Sequence, residues 1–292
     1  MRLSHCRSLF AVVATSALLL AGCSGGSGTD RDDIGPTDTS SGSLPGGSTV
    51  PPSPAGLHPL FQVAQGLLPY PTDLYFSGST DGTLNIAPAN SLIPAQAALN
   101  SIDGYGVNAP IRARFSGAVS AASLTAASVR VVRVNIDNTT KATVGVAGVL
   151  VPGVDSSVGL ATDAGVGNQI VEIRPLRPLV PSTGATNNGY LVLLTNGITD
   201  AAGTAAVPAT DYATIKNALA GGSTCPGITN PTMNGVCRLT GAHLQIATGV
   251  GLNPANVVLS FSFSTGSTRD SLAAVAAGAS AVVMYSLFEE QV

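Results

Sequence analysis

The chain has 292 residues, of which only 10% are charged, and it contains no tryptophan. Its 13 Lys+Arg and 16 Asp+Glu give a formal charge of −3. Without a basic excess to neutralise a run of phosphates, the composition argues against nucleic-acid binding. Gly, Ala, Val, Thr and Ser dominate, which favours an exported, β-rich protein over a cytosolic enzyme.

Residues 1–22 have the parts of a secretory signal: a positive start, an uncharged apolar stretch at 9–20, and small residues. The apolar stretch is too short to span a bilayer, which takes about 20 residues. The sequence Leu-Ala-Gly-Cys at 20–23 resembles a bacterial lipobox, whose cysteine thiol receives a diacylglycerol before cleavage. We therefore expect Cys23 to be the lipid-bearing first residue of the mature protein. The alternative is an ordinary signal peptide with a chance cysteine.

Loss of residues 1–22 removes two basic and no acidic residues, which leaves eleven basic against sixteen acidic residues and a formal charge of −5. Residues 23–56 are rich in Gly, Ser, Thr, Pro and Asp, and they cannot bury enough surface to order themselves. As a flexible coil they have a root-mean-square reach of about 30 Å. We expect a tether to the membrane through the N-terminal lipid. Ser24 after the cysteine indicates an outer-membrane lipoprotein of the cell envelope, on the periplasmic or surface face, if the sorting preference of enteric lipoproteins applies.

The remaining cysteines form one even pair. Cys6 is lost with the signal, and Cys225 and Cys237 remain in an oxidising compartment, where pairing is expected. A disulfide between them closes a short loop, which the chain-entropy model credits with about 3 kcal/mol of stabilisation. The alternative is a redox or metal pair, but no second Cys pair accompanies these two cysteines.

The body begins at residue 57, and its first clear strands are read from alternation. Residues 111–115 alternate strictly between apolar residues and arginines. Residues 129–136 alternate with a one-residue slip, which predicts a bulge near Val131 and Val132. Residues 190–194 are apolar throughout, which predicts a central strand of a sheet. Residues 144–151 and 169–173 complete a regular series of strands.

The last predicted strand and the helices follow. Residues 257–263 alternate, with Ser260 and Ser262 on the face opposite the apolar side chains. Short helices are predicted at 211–219 and 239–247. Many short strands separated by turn residues predict a mainly β fold: an Ig-like β-sandwich at 57–266 with a few short helices, preceded by the signal peptide and a disordered linker.

Residues 267–292 are predicted to be a C-terminal helix or connector. Ser267 and Asp270 resemble the ends of a capping box, and the helix continues to Val282. The stretch 271–288 carries no charge, so a membrane span is an alternative. Its many Ala, Gly and Ser residues make it only weakly hydrophobic, which favours a packed or amphipathic helix.

Several segments resemble one family. Residues 66–76 read Gly-Leu-Leu-Pro-Tyr-Pro-Thr-Asp-Leu-Tyr-Phe, residues 78–86 include Gly-Thr-Leu-Asn-Ile, and further similar segments lie at 98–105 and 109–111. Residues 261–268 read Phe-Ser-Phe-Ser-Thr-Gly-Ser-Thr. Together they are similar to the N-terminal domain of bacterial virulence-factor lipases, which are surface or extracellular lipases and lysophospholipases. The similarity covers about residues 57–282.

A broader resemblance, to bacterial Ig-like domains, lies at 111–134 and 176–203 and agrees with the sandwich. Family lipases carry a second, α/β-hydrolase domain, and this chain stops where that domain begins. The resemblance implies a non-catalytic, membrane-anchored N-terminal module of a surface lipase, truncated or partnered with a hydrolase domain in cis or in trans. The alternative is a stand-alone envelope binding or adhesion lipoprotein with an Ig-like domain.

Catalytic residues are not evident. The one match to the Gly-x-Ser-x-Gly nucleophile elbow of α/β-hydrolases, residues 22–26, lies across the signal cleavage site. His58 and His243 are interpreted as structural, although an enzyme with an unrecognised site is a third hypothesis. Asp73, Asp81 and Asp103 fall in the family-like segments, where turn or capping roles are favoured over metal binding. We expect no catalytic residue, no metal site and no cofactor.

A set of aromatic residues in the same segments has two interpretations. Tyr70, Tyr75, Phe76 and Tyr105 form either an exposed patch for a lipid or a partner, or part of the core. Large aromatic side chains are mostly buried in folded proteins, so core packing is the favoured interpretation.

Overall fold

The computed structural model describes residues 54–86, 99–137, 139–161, 167, 169–183 and 187–267. Cys23, the signal, most of the linker and the helix predicted after Ser267 lie outside the described residues. The strands are β1 (Ile111–Arg114), β2 (Val129–Ile136), β3 (Thr143–Val149), β4 (Ser156–Leu160), β5 (Ile170–Pro175), β6 (Asn187–Thr195) and β7 (Val257–Ser264). The longer helices are α1 (Thr210–Ala220) and α2 (Pro231–Gly249).

The strands form two antiparallel sheets, one in the order β1-β5-β4 and one in the order β3-β2-β6-β7. A single core cluster takes side chains from both, including Ile111 and Ile173 of the first and Val192 and Phe261 of the second. The predicted mainly β, sandwich-type fold is therefore confirmed. β6 is the central strand that its apolar sequence predicts, since it pairs with β2 and β7 and is buried from Gly189 onward.

β7 is buried on both faces. Phe263 on one face stacks on Tyr190 with ring centroids 5.7 Å apart. Ser260 and Ser262 point to the other face, which is covered by α1 and α2 rather than exposed to water. Tyr212 of α1 lies against the Ser260 hydroxyl, and His243 of α2 lies against both hydroxyls. The predicted alternation is correct, but its polar side faces a second layer of the protein.

The predicted bulge in β2 is wrong. β2 pairs with β6 without interruption, from Val129 opposite Leu194 to Ile136 opposite Asn187. The register shifts occur against β3, between residues 133 and 134 and between 135 and 136. The slip in the apolar pattern arises because β2 buries one face at its start and the opposite face at its end.

The helix α1 confirms the predicted segment, whereas α2 begins at Pro231 rather than at Leu239. Asn230 caps it, since its side-chain oxygen accepts from the Met233 N–H at 3.0 Å. Proline is favoured at the first helical position because its missing N–H has no helical partner there. Cys237 therefore lies within α2, and its disulfide with Cys225, which is confirmed, ties the helix to the connection from α1.

Candidate functional site

The family-like segments meet where β7 ends. We call this set of residues the exit collar: Asp73, Asp103, Gly104 and Tyr105 around Ser264–Ser267. Asp73 begins a short 3-10 helix (Asp73–Phe76) that Thr72 caps. Its carboxylate accepts from both the N–H and the hydroxyl of Ser264, each at 2.8 Å. The first family-like segment thus binds the last residue of β7, which is 191 positions away in the sequence.

The second segment of the exit collar packs backbone against backbone. The Tyr105 N–H donates to the Ser264 carbonyl at 2.9 Å, and the Gly266 N–H donates to the Tyr105 carbonyl at 2.8 Å. A Cβ on Gly104 would lie only 2.6 Å from backbone atoms of Thr265 and Gly266, so this close approach requires glycine. One residue earlier, the Asp103 carboxylate accepts from the Ser267 N–H at 3.1 Å. The collar therefore holds the chain from Ser264 to Ser267 in one position.

Aromatic packing supports the exit collar from inside. Tyr105 makes edge-on contacts with Tyr70, Phe76 and Phe263, and its hydroxyl donates to the Thr72 carbonyl at 2.6 Å. Tyr105 and Phe76 are buried, and Tyr70 is 41% exposed. Tyr75 is half-buried and packs against the core. The core interpretation is therefore correct for Tyr105, Phe76 and Tyr75, with Tyr70 at the edge.

Burial raises the pKa of Asp73 to about 6, against the opposing effects of the Ser264 hydrogen bonds and of the Lys141 charge. Asp81 is exposed and accepts from Ser79 and Thr83 within its own turn, and these hydrogen bonds lower its pKa. The aspartates thus have turn or chain-binding roles. Within the described ranges, no group of three His, Cys, Asp or Glu side chains lies in an arrangement that fits a metal ion.

Both histidines of the body are held by neutral partners. His58 Nδ1 lies 2.9 Å from the Gly56 carbonyl and 3.1 Å from the Ser116 hydroxyl. His243 is buried between the hydroxyls of Ser260 and Ser262, each 3.2 Å away. Burial lowers the pKa of His243 to about 3, so its imidazole is neutral. In the part of the chain that the structure describes, neither ring contacts the carboxylate that a hydrolase triad requires.

Comparison with known proteins identifies a family. Residues 68–291 match the family model described as bacterial virulence factor lipase N-terminal. The chain belongs to this family. All the segments that form the exit collar fall inside the match, so the collar is part of the lipase N-terminal domain itself. No curated protein and no solved structure matches the chain.

The family is defined by a domain that precedes the catalytic part of a lipase, which agrees with the resemblance noted in the sequence. Among the residues that the structure describes, no helix combines the length and apolar character needed to cross a bilayer. The uncharged stretch 271–288, for which a membrane span was the alternative, lies outside the described residues. Sequence reasoning named Asp73 and Asp103 but missed their partners, Ser264 and Ser267, and it missed the close approach of Gly104 to the backbone of Thr265.

Proposed function

We propose that this lipase N-terminal domain is a non-catalytic, lipid-anchored module that positions a hydrolase domain, in cis or in trans, at the bacterial envelope. The exit collar carries the proposal. It joins two family-like segments, 66–76 and 98–105, to a third at Ser264–Ser267, from which the chain continues toward its C-terminus. A domain that fixes the direction of its outgoing chain is suited to orient whatever follows that chain.

The side chains support a positioning role over a catalytic one. A general base must reach the proton that it abstracts and must have a pKa near the working pH. His243 is enclosed by two serine hydroxyls and has a pKa of about 3. His58 is also buried, and its pKa is lowered by that burial. A serine lies beside each ring, but both pairs serve to satisfy buried polar groups, whose burial without partners is costly.

The anchoring part of the proposal is supported by the N-terminal sequence. A lipobox-like Leu-Ala-Gly-Cys ends at Cys23, and a Gly/Ser/Pro-rich linker follows it. Stable membrane retention takes more than one acyl chain, which a triacylated bacterial N-terminus supplies.

Two assays test the proposal. The full precursor and its Cys23→Ala variant are expressed with labelled palmitate in a Gram-negative host, and their membranes are fractionated. We expect label and membrane retention for the parent and neither for the variant; equal labelling of both would refute the anchor. The purified mature chain is then assayed on short-chain esters and lysophospholipids. Turnover that survives purification and is lost in His58→Ala would overturn the non-catalytic role.

The positioning role is tested in a fusion that joins the hydrolase domain of a family lipase after Val292. The parent fusion is compared with Asp103→Ala, which removes the collar contact to Ser267, and with Asp81→Ala, an exposed aspartate outside the collar. We expect Asp103→Ala to reduce ester hydrolysis at the vesicle surface while hydrolysis of a soluble ester is unchanged, and Asp81→Ala to behave as the parent. Equal surface activity of all three fusions contradicts the positioning role.

A further inference from the structure

A groove of about 270 Å³ opens beside the edge of the four-stranded sheet. We call it the β3 groove. It lies between the end of β3, the connection to β4 and the segment after β5, and its lining includes Arg133, Val149, Asp155, Arg177, Val180 and Tyr190. The chain as a whole is acidic, so two arginines in one groove form a local excess of positive charge.

Two hydrogen-bond donors in the groove find no acceptor among the described residues. The Nε of Arg133 is buried and has no hydrogen-bond partner among the described residues. The hydroxyl of the neighbouring Tyr190 accepts from the Val180 N–H at 2.8 Å, and the described part of the chain records no acceptor for its own proton. Buried donors are nearly always satisfied in folded proteins, so this pair indicates an acceptor that the described residues do not supply.

The second arginine is also open to an anion. Arg177 is 69% exposed, and its contact with Asp155 is long, at 3.9 Å. The other oxygen of Asp155 accepts from the Val151 N–H at 2.8 Å, which holds that carboxylate to its own loop. The groove therefore offers Arg133 and Arg177 to a further carboxylate.

The rim of the groove is apolar. Val149 and Val180 line it and are more than a third exposed, and Val151, Val154 and Leu176 on the adjoining connections are also exposed. An occupant must therefore combine an apolar stretch with carboxylates. An added β-strand fits poorly, because two register shifts against β3 make its edge irregular, and irregular edges resist pairing.

The outgoing chain emerges next to this groove and has the required composition. The Thr265 hydroxyl donates to the carbonyl of Val180, a groove residue, at 2.8 Å. Beyond Ser267, residues 281–288 read Ala-Val-Val-Met-Tyr-Ser-Leu-Phe, and Glu289 and Glu290 follow. As the predicted helix, residues 267–282 rise about 24 Å, and the eight residues that follow span up to about 27 Å when extended, so the acidic end can return to the groove. The family match also extends to residue 291, which makes this segment part of the domain.

We propose that residues 281–290 of this chain dock in the β3 groove, with the apolar run against the valine rim and the Glu289 and Glu290 carboxylates on Arg133 and Arg177. The groove thereby gains the acceptors that its buried donors lack. The docking is independent of lipid anchoring and extends the role of the exit collar, because it fixes the chain at a second point beyond Ser267.

Disulfide trapping tests the docking in the whole mature chain carrying Cys23→Ser. Val149→Cys is combined with Leu287→Cys, and the matched control combines Val144→Cys with the same partner. Val144 lies on the same strand, is 66% exposed and does not line the groove. Because docking raises the effective concentration of the two thiols, we expect the groove pair to form its intramolecular disulfide at least about tenfold faster than the control.

Charge variants then test the contacts within the trapped pair. Glu289→Gln with Glu290→Gln should lower the trapping rate to that of the control, and so should Arg133→Gln. Arg177→Glu alone and Glu290→Arg alone should each lower the trapping rate. The double variant, which exchanges the two charges, should restore part of that rate. Each variant is checked for an unchanged thermal midpoint, so that a lost rate reports docking rather than unfolding.

Four results would overturn the docking. The groove and control pairs trap at equal rates, or the rate is insensitive to removal of the carboxylates. Alternatively, the disulfide forms between two chains, which makes a second copy the occupant. The last result is a lipid carboxylate or phosphate that co-purifies with the chain and is released by Arg133→Gln, while the trapping rate stays low. That result assigns the groove to another ligand.

Discussion

Replacing Asp73 by Asn should change how the stability of this domain depends on pH while preserving its packing. The Asp73 carboxylate is buried and accepts two hydrogen bonds from Ser264. Asn has the same shape, and its amide oxygen can accept from the Ser264 N–H while its NH2 donates to the Ser264 hydroxyl. The variant therefore removes the ionisation and retains both contacts.

The magnitude follows from the pKa of Asp73, which burial raises from 3.8 to about 6. A folded-state pKa above the unfolded value means that the folded protein binds the proton more tightly, so acidification stabilises the fold through this group. The full effect, reached below the unfolded pKa, is about 3 kcal/mol, since one pKa unit corresponds to about 1.4 kcal/mol. Between pH 7 and pH 5, about 1 kcal/mol of it is gained.

His243 acts in the opposite direction and is the stronger group. Its pKa is lowered from 6.5 to about 3, so its stabilising contribution is complete above the unfolded pKa and is lost as the pH falls below it. Between pH 7 and pH 5 this loss is about 2 kcal/mol, which exceeds the gain from Asp73. The wild-type protein should therefore lose stability on acidification, and Asp73→Asn should lose about 1 kcal/mol more.

Urea unfolding of both proteins, followed by circular dichroism at several pH values from 7 to 5, measures this difference. Asp81→Asn is the matched control, because Asp81 is exposed and its pKa is lowered, so it titrates below the tested range. The reasoning is refuted if Asp73→Asn and wild type keep a constant difference in unfolding free energy across the range, or if Asp81→Asn shifts it as much.

Three further results are expected. His243→Gln should lower stability at neutral pH and reverse the acid dependence, because Asp73 then dominates: in the same urea series the unfolding free energy should rise by about 1 kcal/mol from pH 7 to pH 5, and a fall would contradict the role of His243. Gly104→Ala should destabilise the domain by about 1–3 kcal/mol, because its Cβ would lie 2.6 Å from backbone atoms. The control Gly106→Ala, whose Cβ would lie 3.9 Å from the Ala109 Cβ, should leave the thermal midpoint nearly unchanged. Equal midpoints for the two variants would contradict the close approach. Removing the disulfide with Cys225→Ser and Cys237→Ser should cost about 3 kcal/mol in urea unfolding, and an unchanged midpoint would show that the loop is already restricted when unfolded.

Much of the sheet could be predicted because its signals are local. Strict alternation at 111–115 and an unbroken apolar run at 190–194 each depend only on neighbouring residues, and both became strands. The bulge near Val131 failed for a physical reason. A change of apolar face along β2 has two causes, an extra residue or a change in which face is covered, and only the tertiary structure separates them.

The start of helix α2 has a local sequence signal that the predicted start at Leu239 does not use. Asn230 and Pro231 lie between the cysteines, in the segment that the sequence analysis describes as a short loop, although Asn followed by Pro is also a helix start. The Gly and Pro residues around them favoured the loop interpretation. With the start placed correctly, His243 falls in the middle of a long amphipathic helix and needs a polar partner on the sheet that it covers.

The need of buried polar side chains for hydrogen-bond partners explains both the polar face of β7 and the exit collar. Alternating serines on an edge strand normally indicate exposure to water, yet Ser260 and Ser262 serve His243, and Ser264 serves Asp73. Each serine is a small residue that satisfies a buried polar group brought from a distant part of the chain. Strand periodicity cannot reveal such partners, because it records that a face is polar and not whether water or another element satisfies it. The family resemblance gives more information, because it identifies the segments that contain Asp73 and Ser264, although it does not show that these residues are in contact. A polar stripe on a strand that lies within a family motif is therefore better interpreted as a binding face for the other segments of that motif.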